Sequence, residues 1–200
     1  PPPEYMQKLR ASCTKHDVLL IADEIQSGLG RTGKMFAFQH SGIVPDIVTM
    51  SKALGGIGLP ISGIAYREEL NTWTPGKHIG TFRGNVMAYA AGAAAMDFFD
   101  ENDILAHTNQ LGEEMLVWLK ELETSTKIVG ESRGQGLMIG VEIVKDQATK
   151  EPSPEMAREL RSYCHKNGVM IEIGGHYNNV ARLLPPLVLT RDLAKRGCDV

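Results

Sequence analysis

The segment IADEIQSGLGRTG, residues 21–33, decides how the first half of the chain is interpreted. It closes a short apolar run, DVLLIADE, and then carries glycines in the spacing G-x-G-x-x-G at Gly28, Gly30 and Gly33. A dinucleotide-binding turn has that spacing, but it sets its glycines between a strand and an amphipathic helix. The segment KMFAFQHSGIVPD that follows has no helical stripe of apolar residues. We therefore interpret the glycines as a turn-rich loop and keep a nucleotide-dependent oxidoreductase as the alternative.

Two more apolar runs, PDIVTMSKA and LPISGIAYREE, follow the glycine segment. Like the first run, they are bounded by turn residues and rich in Val and Ile, a composition typical of central strands in a mostly parallel sheet covered on both faces. Helices are predicted over residues 4–16, 85–99 and 104–122. The second of these is apolar around most of its circumference and is expected to pack inside a larger body. The pattern predicts an α/β fold.

The second half of the chain predicts a different arrangement. IVGESRGQGLMIGVEIVK indicates two strands around a glycine-rich turn. SPEMARELRSYCHKNGV indicates a helix with Ser153 as N-cap, Pro154 at N1 and Gly168 as C-cap, and the segments VMIEI and VARLLPPLVLT follow it. We expect residues 1–100 to form one domain and residues 101–200 to form a smaller α+β domain.

Composition narrows the classes of function. The 200 residues carry a formal net charge of −3 with scattered Lys and Arg, so nothing indicates a nucleic acid or an anionic membrane as partner. No apolar run approaches the roughly 20 residues that span a bilayer. Three cysteines without a C-x-x-C pair and six histidines without ligand spacing predict no metal site. We expect a soluble, cytoplasmic protein that binds a small molecule and, because the chain starts without Met, a piece of a longer polypeptide.

Charged residues end two of the predicted buried strands. Asp23 ends the first run and Lys52 ends the second. Because the carboxyl ends of parallel strands meet at one edge of a sheet, this acid and this amine are expected to face the same crevice. Pyridoxal phosphate uses such a pair, since the amine forms a Schiff base with its aldehyde and the carboxylate keeps its pyridine nitrogen protonated. Taken singly, Asp23 could cap the following segment and Lys52 could simply reach solvent.

Both residues lie within LLIADEIQSGLGRTGKMFAFQHSGIVPDIVTMSKALGGIGLPISG, which resembles the core of class III pyridoxal-phosphate aminotransferases. The resemblance continues through GTFRGN at residues 80–85, RGQGLMIGVEI at residues 133–143 and RLLPPLVLT at residues 182–190. It implies fold type I of the aspartate aminotransferase superfamily. Residues 1–100 would be the C-terminal portion of the large cofactor-binding domain, and residues 101–200 the small C-terminal domain, incomplete at its end.

The resemblance also implies roles for residues around the cofactor ring. By position, Asp23 pairs with the pyridine nitrogen and Lys52 is the Schiff-base lysine. Ile25 packs against the ring face, and Gln26 hydrogen-bonds near the ring 3′ oxygen. Pyridoxal 5′-phosphate is therefore the cofactor that the resemblance implies.

Two more residues are carried over from the family motifs. Thr81 would bind the cofactor phosphate of the neighbouring subunit, which makes a homodimer the smallest functional unit. Arg182 would clamp the substrate α-carboxylate, a planar bidentate task suited to guanidinium. The family's phosphate-binding glycine and serine loop is expected upstream of Pro1, so a catalytically incompetent fragment is a further alternative.

The motif GTFRGN bears on the substrate. It has Arg83 where many ornithine and 4-aminobutyrate enzymes have Gly. In this respect the chain resembles the aminotransferases that move the terminal amine of L-2,4-diaminobutyrate to 2-oxoglutarate, giving aspartate 4-semialdehyde and glutamate. Enzymes acting on 4-aminobutyrate, ornithine or acetylornithine remain alternatives.

Overall fold

The computed structural model describes residues 1–56 and 58–200, which form two compact units, Pro1–Leu105 and Ala106–Val200. The division falls within the first turn of a helix, a few residues after the boundary expected near residue 100. No helix among the described residues is both long and apolar enough to cross a lipid bilayer.

The first unit contains a small sheet and two α-helices. Its α-helices and strands are α1 (Pro3–Lys15), β1 (Ile21–Asp23), β2 (Ile47–Met50), β3 (Gly63–Tyr66) and α2 (Val86–Glu101). Short 3-10 helices lie between them at Ala37–Ser41, Lys52–Gly55 and Glu68–Leu70. The glycine segment is followed by the first of these 3-10 helices and not by an α-helix, as the sequence indicated.

The expectation of a mostly parallel sheet holds for one of the two strand pairings. The strand order is β1-β2-β3, and β1 pairs with β2 in parallel while β2 pairs with β3 antiparallel. A parallel crossover needs about a dozen or more residues and usually an α-helix. The described part of the β2–β3 connection contains only the 3-10 helix Lys52–Gly55, so β3 returns antiparallel.

The expectation that both faces of these strands are covered is wrong for this unit. Ile21 is 56% exposed and Ile64 is 42% exposed. The helices pack mainly against the 3-10 helices at the strand ends, α1 against Ala37–Ser41 and α2 against Lys52–Gly55. Helix α2, expected to pack inside a larger body, is likewise open to solvent in this unit, and Ala88 is its one buried residue.

A buried carboxylate joins several elements of the first unit. Asp46, directly before β2, is 4% exposed. Its Oδ2 accepts hydrogen bonds from Arg10 Nη1 of α1 at 2.6 Å and from the Leu20 backbone N–H at 2.7 Å, while Arg67 Nε lies 3.0 Å from Oδ1. These contacts hold the pKa of Asp46 below its usual value, chiefly through the Leu20 N–H and then through Arg10. Asp46 thus links α1 to the approach to β1 and to the end of β3.

The second unit is an antiparallel sheet covered by helices. Its elements are α3 (Ile104–Ser125), β4 (Val129–Gln135), β5 (Met138–Ile143), α4 (Pro154–Lys166), β6 (Glu172–Gly174), β7 (Val180–Leu183) and α5 (Arg191–Cys198). The strand order is β4-β5-β7-β6. The predicted apolar stripe of α3 is confirmed, because Leu111, Met115 and Leu119 are at most 5% exposed and join the core with Ile139 and Val141.

The helix predicted in SPEMARELRSYCHKNGV is α4, which begins where expected but has its C-cap one residue earlier, at Asn167 and not at Gly168. Ser153 is the N-cap residue and Pro154 stands at N1, although the Ser153 side chain makes no capping hydrogen bond. Beyond the C-cap residue Asn167, Gly168 takes a φ of +82°, the left-handed conformation that commonly ends a helix.

Candidate active site

The parallel pairing of β1 and β2 brings the predicted acid and amine to the same edge of the sheet. Asp23 is the last residue of β1 and lies opposite Thr49 of β2 in the register. Lys52 follows three residues after Thr49, directly beyond the end of β2. Both side chains are exposed. The edge therefore presents a carboxylate and a primary amine to the same side of the first unit.

One oxygen of the Asp23 carboxylate accepts hydrogen bonds from the protein, and the other is available to a ligand. Its Oδ1 accepts hydrogen bonds from the Thr49 hydroxyl and from the Ile25 backbone N–H, each at 3.1 Å. No donor among the described residues contacts Oδ2. A fixed carboxylate with one available oxygen can accept a hydrogen bond from a protonated ring nitrogen.

Lys52 occupies an unusual backbone conformation. Its φ is +44°, in the left-handed region that a non-glycine residue rarely adopts and that costs on the order of 1 kcal/mol or more. The preceding Ser51 anchors the turn, because its hydroxyl donates to the Ile61 carbonyl at 2.9 Å and its carbonyl accepts from the Leu54 N–H at 3.0 Å. The Lys52 ammonium has no hydrogen bond or ion pair with a described residue. A strained backbone that presents an unpaired amine is typical of functional positions.

Helix α2 sets the position of this turn. Gly92 lies so close to the Leu54 carbonyl oxygen that a Cβ built on Gly92 would stand 2.6 Å from it. Gly56 approaches the same helix at Ala91 and Ala95, and its φ of +62° favours glycine as well. The turn that carries Lys52 therefore rests directly on the backbone of α2.

The loop after β1 carries Ile25 and Gln26. Ile25 is 36% exposed, and the Gln26 amide is half-buried without a hydrogen bond to a described residue. Between Asp23 and Ile25, Glu24 is 3% exposed and closes the loop. Its carboxylate accepts from the Ser27 hydroxyl at 2.7 Å and from the backbone N–H groups at positions 37 and 38 at 3.1 and 2.9 Å. Glu24 thereby fixes the segment from which Ile25 and Gln26 project.

Thr81 lies apart from these contacts, in an exposed turn before α2. The Arg83 N–H donates to the Gly80 carbonyl at 3.1 Å, and Asn85 caps α2 by accepting from two backbone N–H groups. The Thr81 hydroxyl makes no hydrogen bond with a described residue. An open cavity of about 530 Å³ beside this turn is lined by Tyr66, Trp73, His78 and Arg83 among others and includes none of the six predicted site residues. Neither Asp23 nor Lys52 lines this cavity.

Arg182 belongs to the second unit, on β7. It pairs with Gly140 of β5 on one side and with Glu172 of β6 on the other. Its Nη2 forms an ion pair with Glu172 Oε2, and its Nε is buried without a hydrogen-bond partner among the described residues. A carboxylate of the protein therefore already contacts the arginine expected to bind a substrate carboxylate.

The sequence interpretation missed the residues that hold the site together. Thr49 orients Asp23, Ser51 anchors the Lys52 turn and Glu24 closes the loop. Thr49 and Ser51 are polar residues within or beside an apolar run, which is a detectable signal, but their partners become known only with the strand register. Among the described residues, no group of three or more His, Cys, Asp or Glu side chains could hold a metal ion.

Comparison with known proteins decides the family. The chain matches the protein family described as aminotransferase class III over residues 1–200. It belongs to the class III aminotransferase family. The expected fold type is thereby confirmed, and the nucleotide-dependent oxidoreductase kept as an alternative is wrong for this class III chain.

Individual relatives of this class III chain differ in their substrates. It is 40% identical over 195 residues to diaminobutyrate–2-oxoglutarate aminotransferase of Rhizobium meliloti (strain 1021), covering 94% of this chain and 41% of that protein. It is 37% identical to the 5-aminovalerate aminotransferase DavT of Pseudomonas aeruginosa, covering 98% of this chain and 46% of the relative. The chain thus spans less than half the length of these curated relatives.

The chain is also similar in structure to a solved aminotransferase. The taurine:2-oxoglutarate aminotransferase of Bifidobacterium kashiwanohense, in complex with PLP and glutamate, superposes with a TM-score of 0.91 at 29% identity. The match covers all of this class III chain and 46% of that one.

The side chains at the β1–β2 edge fit a pyridoxal-type cofactor. The available Oδ2 of Asp23 suits a ring N–H, the unpaired Lys52 amine suits an aldehyde, and the partly exposed Ile25 suits a ring face. The free amide of Gln26 can donate to a ring oxygen. Each group has a hydrogen-bonding or apolar capacity that no described residue uses.

Proposed function

We propose that the protein containing this chain is a pyridoxal-phosphate-dependent aminotransferase. The observation that carries the proposal is the arrangement of side chains at the β1–β2 edge. There the Thr49 hydroxyl holds one oxygen of the Asp23 carboxylate and leaves the other available. Lys52, with its unpaired amine, follows Thr49 by three residues. When bound, pyridoxal phosphate supplies an electron-accepting pyridine ring and an aldehyde that takes up an amine.

The chain's own residues would divide the cofactor-binding work. Asp23 accepts a hydrogen bond from the ring nitrogen and favours its protonated form through the carboxylate charge. Ile25 covers a ring face and excludes water from it, while Gln26 donates to the ring 3′ oxygen. Lys52 would provide the amine that pairs with the aldehyde and, once the substrate amine has displaced it, the freed amine would move a proton at the substrate carbon that bears the amine.

Two residues would serve groups farther from the ring. The exposed Thr81 hydroxyl suits a phosphate oxygen, and we assign it to the cofactor of a neighbouring subunit in a homodimer. Arg182 would bind the α-carboxylate of the substrate through its guanidinium. The domain roles follow, with the first unit as part of a large cofactor-binding domain and the second as a small domain.

We propose L-2,4-diaminobutyrate and 2-oxoglutarate as the substrates, with aspartate 4-semialdehyde and glutamate as products. The relatives that act on diaminobutyrate and the arginine in GTFRGN support this choice. Because the chain is also similar to DavT, other compounds with a terminal amine remain the alternative substrates. An amine-donor panel on the intact protein, scoring glutamate formed from 2-oxoglutarate, tests it. A higher kcat/KM for 4-aminobutyrate, ornithine, acetylornithine or 5-aminovalerate would overturn the diaminobutyrate assignment.

Replacing Lys52 tests the enzyme class. In the intact protein, Lys52→Ala should lower turnover by about 100- to 10,000-fold or more, because it removes the proton-transferring amine. Lys8→Ala, which removes an exposed lysine from α1, is the matched control and should leave turnover unchanged. Retained turnover in Lys52→Ala would refute the assignment.

A chemical readout separates an inactive enzyme from a wrong assignment. Borohydride treatment in the presence of pyridoxal phosphate should leave one stoichiometric adduct on the Lys52 peptide of the wild type. The same digestion and mass measurement should find no adduct at position 52 in Lys52→Ala. Equal labelling of Lys8 and Lys52 would indicate nonspecific reaction and would count against the proposed site.

A further inference from the structure

The glycines of the G-x-G-x-x-G spacing have a packing role that the proposed function does not use. They lie in the loop after β1, residues 24–33, here named the glycine loop. A Cβ on Gly28 would stand 2.8 Å from the Glu24 carbonyl oxygen, so a side chain there would push the loop away from its own start. Gly30 is buried, and a Cβ on it would overlap Cε1 of the Phe99 ring and stand 3.0 Å from Cζ. The edge of the Phe99 ring therefore occupies the place that a side chain at position 30 would need.

Phe99 belongs to the helix that also supports the Lys52 turn. It lies in the last turn of α2, seven residues after Gly92, which contacts the Leu54 carbonyl. Residues seven apart in an α-helix lie on nearly the same side of it and about 10 Å apart along its axis. One side of α2 thus contacts both the turn that carries Lys52 and the glycine loop.

Hydrogen bonds within the glycine loop make it move as one piece. The Gly28 N–H donates to the Glu24 carbonyl at 3.0 Å, and the Arg31 N–H donates to the Gly28 carbonyl at 3.4 Å. These two turns share Gly28. Gln26 lies within the first turn and Gly30 within the second. A shift of the loop at Gly30 is therefore expected to reach Gln26.

We infer that Phe99 is a positioning residue for the cofactor, because its ring holds the glycine loop on α2 and so fixes Gln26 relative to Lys52. The inference rests on the proposed function, in which Gln26 donates to the ring 3′ oxygen and Lys52 binds the aldehyde. These two groups are on neighbouring carbons of the pyridine ring. Gln26 and Lys52 must therefore keep a fixed separation to reach both groups at once, and α2 is the element that contacts both supports.

The expected effect of Phe99→Leu is a weaker hold on the cofactor. Leucine keeps an apolar side chain and favours the helix, but it has no ring edge to fill the space at Gly30. The loss of one neutral hydrogen bond corresponds to about a two- to tenfold change in a binding constant. Phe99→Leu should therefore raise the Kd of pyridoxal 5′-phosphate by about two- to tenfold, and Gln26→Ala should raise it by a similar factor.

A double variant shows whether Phe99 acts through the loop. Because both substitutions remove the same contact, Phe99→Leu combined with Gln26→Ala should bind the cofactor about as weakly as Gln26→Ala alone. Phe98→Leu is the matched control, since Phe98 is the neighbouring residue of α2 and is 44% exposed. Its Kd should stay near that of the wild type. The Kd values are measured by titrating cofactor-free intact protein with pyridoxal 5′-phosphate and recording the absorbance.

Hydrogen exchange tests the contact without the cofactor. Mass spectrometry of the peptide that covers residues 24–33 should show faster amide exchange in Phe99→Leu than in the wild type or in Phe98→Leu. Phe99→Met provides a second variant in case leucine disturbs the end of α2, and it should change exchange and Kd in the same direction.

Three results would overturn the inference. They are an unchanged Kd in both Phe99 variants, an equal change in Phe98→Leu, and effects of Phe99→Leu and Gln26→Ala that multiply in the double variant. A wild type that does not bind pyridoxal 5′-phosphate saturably would instead refute the proposed function. The hydrogen-exchange comparison would then decide on the contact between Phe99 and the glycine loop alone.

Discussion

The contact between α2 and the Lys52 turn can be tested with a single methyl group. Gly92→Ala would place a Cβ 2.6 Å from the Leu54 carbonyl oxygen, a distance that has to open to at least 3.0 Å. Overpacking of this kind costs about 1–3 kcal/mol. The same substitution also favours the helix by about 0.5–1 kcal/mol, because alanine loses less backbone entropy than glycine.

Gly197 provides the matched control, because it is also a helical glycine but has no neighbouring atom within 4 Å of the position that a Cβ would take. Gly197→Ala should raise the free energy of unfolding by up to about 0.5–1 kcal/mol. Gly92→Ala should be about 1–3 kcal/mol less favourable than this control, since the pair differ by the clash. Urea unfolding of both variants measures the difference.

The same variant should disturb the chemistry at Lys52. A 1 Å displacement of a reacting group can cost about 100-fold in rate, so a shift of a few tenths of an ångström in the turn should lower turnover by roughly three- to tenfold. Steady-state kinetics of the intact protein provides the assay. If Gly92→Ala is as stable as Gly197→Ala and turns over at the wild-type rate, α2 does not position the Lys52 turn.

Two further predictions concern buried carboxylates. Asp46→Asn should lower the free energy of unfolding by about 1.5–3 kcal/mol at neutral pH, because Asn loses the charged contacts with Arg10 and Arg67. The pKa of Asp46 is lower in the folded state than in the unfolded chain. Its contribution to the free energy of unfolding is therefore present above about pH 4 and disappears as the pH falls through the folded-state pKa. A difference in unfolding free energy between wild type and Asp46→Asn that stays constant from about pH 6 to about pH 3 would contradict this. Glu24→Gln should cost about 1–3 kcal/mol, since an amide NH₂ would meet N–H donors, and urea unfolding against the exposed Glu4→Gln control should show the loss in Glu24→Gln alone.

Local signals predicted most of the secondary structure. The stripe from Leu111 to Leu119 and the cap signals at Ser153 and Gly168 report on backbone geometry within a few residues, and the structure reproduces them, with the C-cap one residue before Gly168. The direction of β3 was not predictable in the same way. An apolar run has the same composition in a parallel and an antiparallel pair. The direction of the second strand depends on the connection, because a parallel pair needs a crossover of about a dozen or more residues, usually an α-helix.

The site shows the same limit. Asp23 and Lys52 were recognisable because charges at the ends of apolar strands are unusual, and the family motifs supplied Ile25, Gln26 and Thr81. The contact between Arg182 and Glu172 depends on strand register and on the absence of a side chain at Gly174. Residues ten positions apart in sequence give no local signal that they meet.

The Asp46 cluster has a consequence for how the sequence can change. Asp46 ties α1, the start of β1 and the end of β3 together at the amino end of β2. Lys52 and Asp23 stand at the other end of strands only three and four residues long. Anchoring and the proposed chemistry are thereby separated along one short sheet. Under the proposed function, substitutions around the carboxyl edge are expected to alter which amine is accepted while the anchor preserves folding, and this half of the chain would then be suited to acquiring new substrates.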